Sequence, residues 1–314
     1  MSKKNAGIVA LALFSWALGS ASEALAANAP ADADGLVAQH LDSIASGSVR
    51  AALKSRVVQG PVQYKILVGG AGVIDGKAVL VSEGKKFQLM MKLPNNDYHG
   101  EQFVFDGDKD KVAFSTSRQS RSSLGNFVFV QDAVIREGLL GGALSTAWPL
   151  LNINERKAKL SFEGLKKIDG QDLYDLRYRP KKNTDLEIHL YFDPQSYRHV
   201  ETIYSYSTTE GFAGSAPGSG GSSAIAGTMD TGPGSGGPGS SPETANARQQ
   251  MTRYRLQEKF SEFKTVDGVT LPTHYDIQFT QELQNGKTTL SDWDLKGLDV
   301  SNNMGVDARN FEVK

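Results

Sequence analysis

Along most of the chain, apolar and polar residues alternate with a period of two, the signature of half-buried β-strands. From Arg56 onward Val62, Tyr64 and Ile66 alternate, and Gly69-Gly70-Ala71-Gly72 turns the chain. Val79 and Val81 follow, then the Glu83-Gly84 turn. Phe87, Leu89, Met91 and Leu93 share one strand face, with Lys86, Gln88, Met90 and Lys92 on the other. Phe103 and Phe105 lead into Asp106-Gly107, a hairpin signal, and Val112 and Phe114 begin the return. This is a meander of about five antiparallel strands. A second run carries Leu160 and Phe162, then Tyr174, Leu176 and Tyr178, then Leu186, Ile188, Leu190 and Phe192, then Tyr204 and Tyr206. A third carries Tyr254, Leu256 and Phe260, then Ile277 and Phe279 after the turn at Asp267-Gly268, then Asn285-Gly286 and Trp293. Each strand has one apolar and one charged face, so one side of the sheet meets water.

Two stretches break the alternation. Residues 124–153 are mostly apolar, with Asp132, Arg136 and Glu137 as their charges. Val130, Val134, Leu139 and Leu140 lie near helical spacing, and Leu144, Trp148 and Leu151 repeat it. Gly141-Gly142 should separate two helical pieces, and Pro149 limits the second. Such an insert either caps the concave face of a sheet or forms an ordinary pair of core helices; the periodicity is compatible with both. Residues 207–247 are dominated by Gly, Ser and Pro. They hold too little apolar surface to fold, and are read as a disordered excursion between two strands of one sheet.

The amino-terminal part reads differently. Lys3 and Lys4, an apolar run over 6–21 and Ala24-Leu25-Ala26 form a secretory signal over 1–26, its apolar run shorter than the roughly 20 residues a membrane span needs. Residues 27–33 make a flexible leader. Leu36, Val37, His40, Leu41 and Ile44 mark one face of a helix with Asp34 as its expected cap, and 49–54 add a further turn.

Composition narrows the function. The 314 residues include 34 basic and 35 acidic side chains, 22% charged and 39% hydrophobic residues, and no cysteine. Cleavage after residue 26 would leave 32 basic and 34 acidic. Near-neutral charge gives no footprint for nucleic acid. Without cysteine there is no thiol chemistry and no acylated N-terminal cysteine. The expectation is an exported, periplasmic, soluble monomer.

Motifs for chemistry fail on inspection. Asp106-Gly107-Asp108-Lys109-Asp110 has Lys111 where a calcium loop needs glycine and Ser117 where it needs glutamate. Gly70-Ala71-Gly72 has Asp75 at the place of the third glycine of a dinucleotide loop. Gly76-Lys77-Ala78 lacks the hydroxyl of a phosphate loop. The histidines, His40, His99, His189, His199 and His274, show no metal-ligand spacing, and His189 and His274 fall on polar strand faces, which suggests exposure. No enzyme, metal or cofactor is expected.

Three pieces and their order resemble a known family: Phe103-Val104-Phe105-Asp106-Gly107-Asp108, Leu190-Tyr191-Phe192-Asp193-Pro194, and the hairpin from Phe260 through Val266-Asp267-Gly268-Val269 to Leu271-Pro272. The ending Val306-Asp307-Ala308-Arg309-Asn310-Phe311 adds to them. Together with the signal, the first helix and the apolar insert, they are similar to the outer-membrane lipoprotein carriers and sorting proteins (LolA/LolB-like). The resemblance spans 34–314, one domain, apart from the Gly/Ser/Pro excursion. It implies a mainly β fold with helices: an incomplete antiparallel β-barrel of about eleven strands closed by a helical lid. It also implies a carrier of acyl lipids or lipoproteins, with sorting components of the inner and outer membranes as candidate partners. The other function in the family is an envelope-stress sensor that binds an anti-sigma factor. The apolar cavity would be lined by Phe87, Leu89, Met91, Phe103, Phe105, Leu139, Leu140, Leu144, Trp148, Leu186, Ile188, Leu190, Phe192, Ile277 and Phe279. One departure stands out. The family's carrier latches its lid with an arginine in a Lys-Arg-Pro turn, whereas the matching turn here, Ser82-Glu83-Gly84-Lys85-Lys86, has neither arginine nor proline.

Overall fold

The computed structural model describes residues 30–113, 121–182, 184–208, 251–283 and 285–313. The expected signal and leader (apart from its last residues), Phe114 and most of the Gly/Ser/Pro stretch lie outside the described residues.

Helix α1 (Ala33–Ile44) begins where Asp32, two residues before the expected cap, accepts a hydrogen bond from the Gly35 amide at 2.8 Å. Helix α2 (Gly47–Ala52) follows. Five strands come next: β1 (Ser55–Val68), β2 (Val73–Glu83), β3 (Lys86–Lys92), β4 (Gly100–Phe105) and β5 (Asp110–Ala113). The insert then contributes α3 (Ser123–Val130), α4 (Ala133–Arg136) and α5 (Ile153–Arg156), with single tight turns at Gly142–Leu144 and Pro149–Asn152. The chain returns to β6 (Lys159–Ile168), β7 (Gln171–Arg179), β8 (Glu187–Phe192), β9 (His199–Thr208), β10 (Thr252–Val266), β11 (Val269–Glu282), β12 (Thr288–Leu295) and β13 (Asp299–Asn302).

All thirteen strands join one antiparallel sheet in the order β5-β4-β3-β2-β1-β12-β11-β10-β9-β8-β7-β6, with β13 beside β1. The edges β5 and β6 do not pair, so the barrel is incomplete, as the resemblance implied, with two more strands than the eleven or so expected. Strands β9 and β10 are direct neighbours, with Thr208 opposite Thr252, so the chain leaves and re-enters the sheet between adjacent strands.

Parity places the core. On β3, Phe87, Leu89 and Met91 point inward, and on β8, Ile188, Leu190 and Phe192 do; each is no more than 1% exposed. Helix α1 packs Leu36, Val37, His40 and Ile44 into the same core. The outer face is less open than alternation alone predicts. Glu163 is unpaired in a bulge of β6, and the β6–β7 turn reaches over the outer face, where Asp169 bonds Lys259 of β10 at 2.8 Å. Beneath this overhang Leu173, Tyr191 and Ile203 form a second small apolar cluster.

Candidate functional site: the insert on the concave face

The inner face of the sheet is concave and the insert fills it. All fifteen residues expected to line a cavity belong to one contiguous core cluster, none more than 6% exposed. Leu139, Leu140, Leu144 and Trp148 come from the insert, and the other eleven from four strands and the approach to β8. A hollow of about 40 Å³ opens where Tyr64, Ile66, Tyr98, Ser122, Phe279 and Trp293 meet, at one end of this face. That holds a water molecule or so and no acyl chain.

The insert is not the expected pair of helices. Its first helix stops at Val130, which is 47% exposed, and residues 137–152 form turns. Glycine is the reason. Gly138 has φ +73°, and a β-carbon there would lie 2.2 Å from the Ala147 carbonyl oxygen; Gly142 has φ +50° and packs against His199 and Phe260. These backbone geometries are open to glycine and cannot propagate a helix.

The turns keep most of their backbone hydrogen bonds local; the buried polar groups left over must find partners elsewhere, and the sheet and α1 supply them. The Gly141 amide donates to Glu258 Oε1 at 2.7 Å. The Ala143 carbonyl accepts from Arg56 at 2.5 Å. The Thr146 amide donates to Ser82 Oγ at 2.9 Å. Trp148 Nε1 donates to His40 Nε2 at 3.2 Å, so the His40 Nδ1–H faces the Tyr197 carbonyl at 3.1 Å. Below this, Arg156 donates to the carbonyls of Ala147 and Arg136, and the Tyr178 hydroxyl donates to Glu137 at 2.7 Å. An arginine does hold the insert, but from β1 and not from the β2–β3 turn.

Two carboxyl groups pin the insert at separate points. Glu258, on β10, is fully buried and also accepts from the Tyr204 hydroxyl at 2.6 Å and from the Tyr275 hydroxyl. Burial pushes it up to about 7, partly offset by these donors. Glu101, on β4, accepts from the Tyr98 hydroxyl at 2.7 Å and from the Ser122 hydroxyl, and Ser122 caps α3 through the Gly125 amide at 2.8 Å. Burial raises Glu101 to about 7 as well. His40 and His199, far apart in sequence, face each other at 6.2 Å between ring centres, and His199 stacks on Trp148 at 4.7 Å. Burial pulls His40 down to about 4 and His199 well below the ordinary range, so both are neutral.

His189 and His274 lie on the outer face as parity requires, but they are largely covered, not exposed. His189 pairs with Asp175 and His274 with Asp294, each at 2.8 Å. Among the described residues no group of three or more His, Asp or Glu side chains is placed to hold a metal. No helix among them is long and apolar enough to cross a membrane.

No family model and no curated protein matches this chain. Solved structures do. A DUF1329 family protein from Desulfovibrio piger ATCC 29098 shares 13% identity over 89% of this chain and 97% of its own, with a TM-score of 0.43. A LolA superfamily protein from Nitrosomonas europaea shares 14% identity over 90% and 97%, with a TM-score of 0.41. A Vibrio parahaemolyticus domain named for outer membrane lipoprotein sorting shares 10% identity over 88% and 95%, with a TM-score of 0.40. A likeness of that degree does not reach function.

Proposed function

We propose that the protein is a non-enzymatic, exported carrier whose concave sheet shelters an acyl chain in the place the insert now fills. One observation carries the reading: the apolar residues covering the concave face belong to a plug of short turns, tied to the sheet through side chain–backbone contacts at its apex. Its own backbone hydrogen bonds run locally from Val134 to Leu151, and only a few side-chain contacts tie it to the sheet, so it can leave as a unit while the thirteen-strand sheet stays intact. The eleven inner-face residues on the sheet side would then line the cavity, with Leu139, Leu140, Leu144 and Trp148 carried on the plug that opens it.

The energetics suit exchange. Burying an acyl chain of about 14 carbons, at roughly 0.8 kcal/mol per methylene, is worth about 11 kcal/mol before binding costs. Against this stand the apolar contacts of Leu139, Leu140, Leu144 and Trp148, which the same chain would replace. At about 1.5 to 3 kcal/mol for each buried side chain, the two terms are of the same order. The test is mass spectrometry of organic extracts of the protein purified from the periplasm, beside titration with a fluorescent fatty acid. Acyl lipid in the extract and saturable uptake are expected. An extract without lipid, together with no uptake, would remove the carrier reading.

A further inference from the structure

The plug's apex is hydrogen-bonded to three polar side chains of the sheet, and its departure would treat them unequally. Glu258 would lose the Gly141 amide but keep the hydroxyls of Tyr204 and Tyr275, both on strands. Ser82 would lose the Thr146 amide, and its neutral hydroxyl can turn to another acceptor. Arg56 has less to fall back on. Its guanidinium is 1% exposed and donates to the Ala143 carbonyl of the plug and to Asn302 Oδ1 at 2.9 Å. Both acceptors are neutral, and none of the ion pairs among the described residues includes it. With the plug gone, one side-chain carbonyl remains for a buried full charge.

A guanidinium cannot escape by losing its proton: burial lowers Arg56 only to about 10, so it stays charged at neutral pH. A buried cation without an anion is costly to maintain, and an apolar residue of similar size would serve packing better. Its parity on β1 with Val58, Val62 and Tyr64 puts the charge on the inner, apolar wall. Leu80 and Phe87 lie against the neighbouring Gly141, so a chain leading away from Arg56 would run over apolar surface.

We propose that Arg56 is the head-group anchor of the cavity, and that its ligand is an anionic amphiphile whose carboxylate or phosphate takes the place of the Ala143 carbonyl. The planar fork of arginine fits both anions in a two-pronged geometry, and either is a stronger acceptor than the carbonyl it would displace. This narrows the carrier reading, on which it rests, from any acyl lipid to one with a negatively charged end beside its chain.

The experiment compares head groups on one chain length. A neutral pyrene-labelled acyl alcohol is bound to the full chain and displaced with palmitate, hexadecyl phosphate or hexadecanol. Palmitate and hexadecyl phosphate should each displace at concentrations about tenfold lower than hexadecanol. In R56Q that advantage should vanish while hexadecanol competes as before, and R56K, a point charge without the fork, should keep part of it. A larger advantage for one anion identifies which of the two the site prefers. Should R56Q fold poorly, the head-group comparison in the natural protein and in R56K still decides. Equal displacement by the anions and the alcohol would overturn the anchor and leave the carrier standing. A probe that does not bind at all would overturn both.

Discussion

Replacing Glu258 by Gln tests whether the plug is pinned by a buried carboxyl group that holds its proton. The folded protein binds that proton up to about pH 7, whereas an ordinary glutamate releases it near 4.5. Between these values the native state carries more protons than the unfolded chain. Stability contributed by this group is therefore present at pH 5, declines as pH rises through 7, and is level above that. At 1.36 kcal/mol per unit of difference, the loss between pH 5 and 8 is about 2 to 3 kcal/mol. Glutamine keeps the shape and an acceptor for the Gly141 amide but cannot ionise. Urea denaturation at pH 5 and pH 8 should thus show a fall in stability about 2 to 3 kcal/mol smaller in E258Q than in the natural protein. His40 and His199 act in the opposite sense, since a histidine buried neutral loses stability as pH falls below about 6.5. Their contribution is common to both proteins and cancels in the comparison. An identical pH dependence in the two would mean that Glu258 does not hold its proton in the folded protein.

Two further outcomes follow from the same geometry. Gly138→Ala should destabilise by more than about 2 kcal/mol in thermal or urea melts, because its β-carbon would sit 2.2 Å from the Ala147 oxygen at φ +73°; a neutral effect would mean the apex is not held as described. Deleting residues 211–243 should keep a single cooperative transition, since β9 and β10 already pair from Thr208 and Thr252 inward. A lost transition would show that the deleted stretch contributes to the core.

The strands were legible because a half-buried sheet forces its period of two on the sequence, and the turns because Asp-Gly and Asn-Gly pairs declare themselves. The insert was legible as apolar but not in conformation. Nearly all of it is buried, so no periodicity survives, and its shape depends on glycines and on partners more than sixty residues away in sequence, such as Ser82, Arg56 and Glu258. Yet these partners left a trace. Glu258 stands in register with Tyr254, Leu256 and Phe260, Arg56 with Val58 and Val62, and Glu101 with Phe103 and Phe105. Each is a charged residue at an inward position of an otherwise apolar face, which is where a buried polar contact belongs. The half-burial of His189 and His274 had no such trace, because their partners Asp175 and Asp294 stand on adjoining strands, and which strands adjoin is a tertiary fact that alternation cannot register.

If a ligand enters, the insert must leave, and the absence of cysteine from the natural chain lets that movement be blocked at will. Ser82 and Thr146 touch across the sheet–plug boundary, at 2.9 Å between Oγ and the amide. With both replaced by cysteine, oxidation should lock the plug closed, as verified by loss of free thiol, and reduction should release it. Uptake of a fluorescent fatty acid should be abolished in the oxidised protein and return on reduction, with the natural protein unaffected by either treatment. Undiminished uptake by the fully oxidised protein would mean that ligand enters without the insert moving.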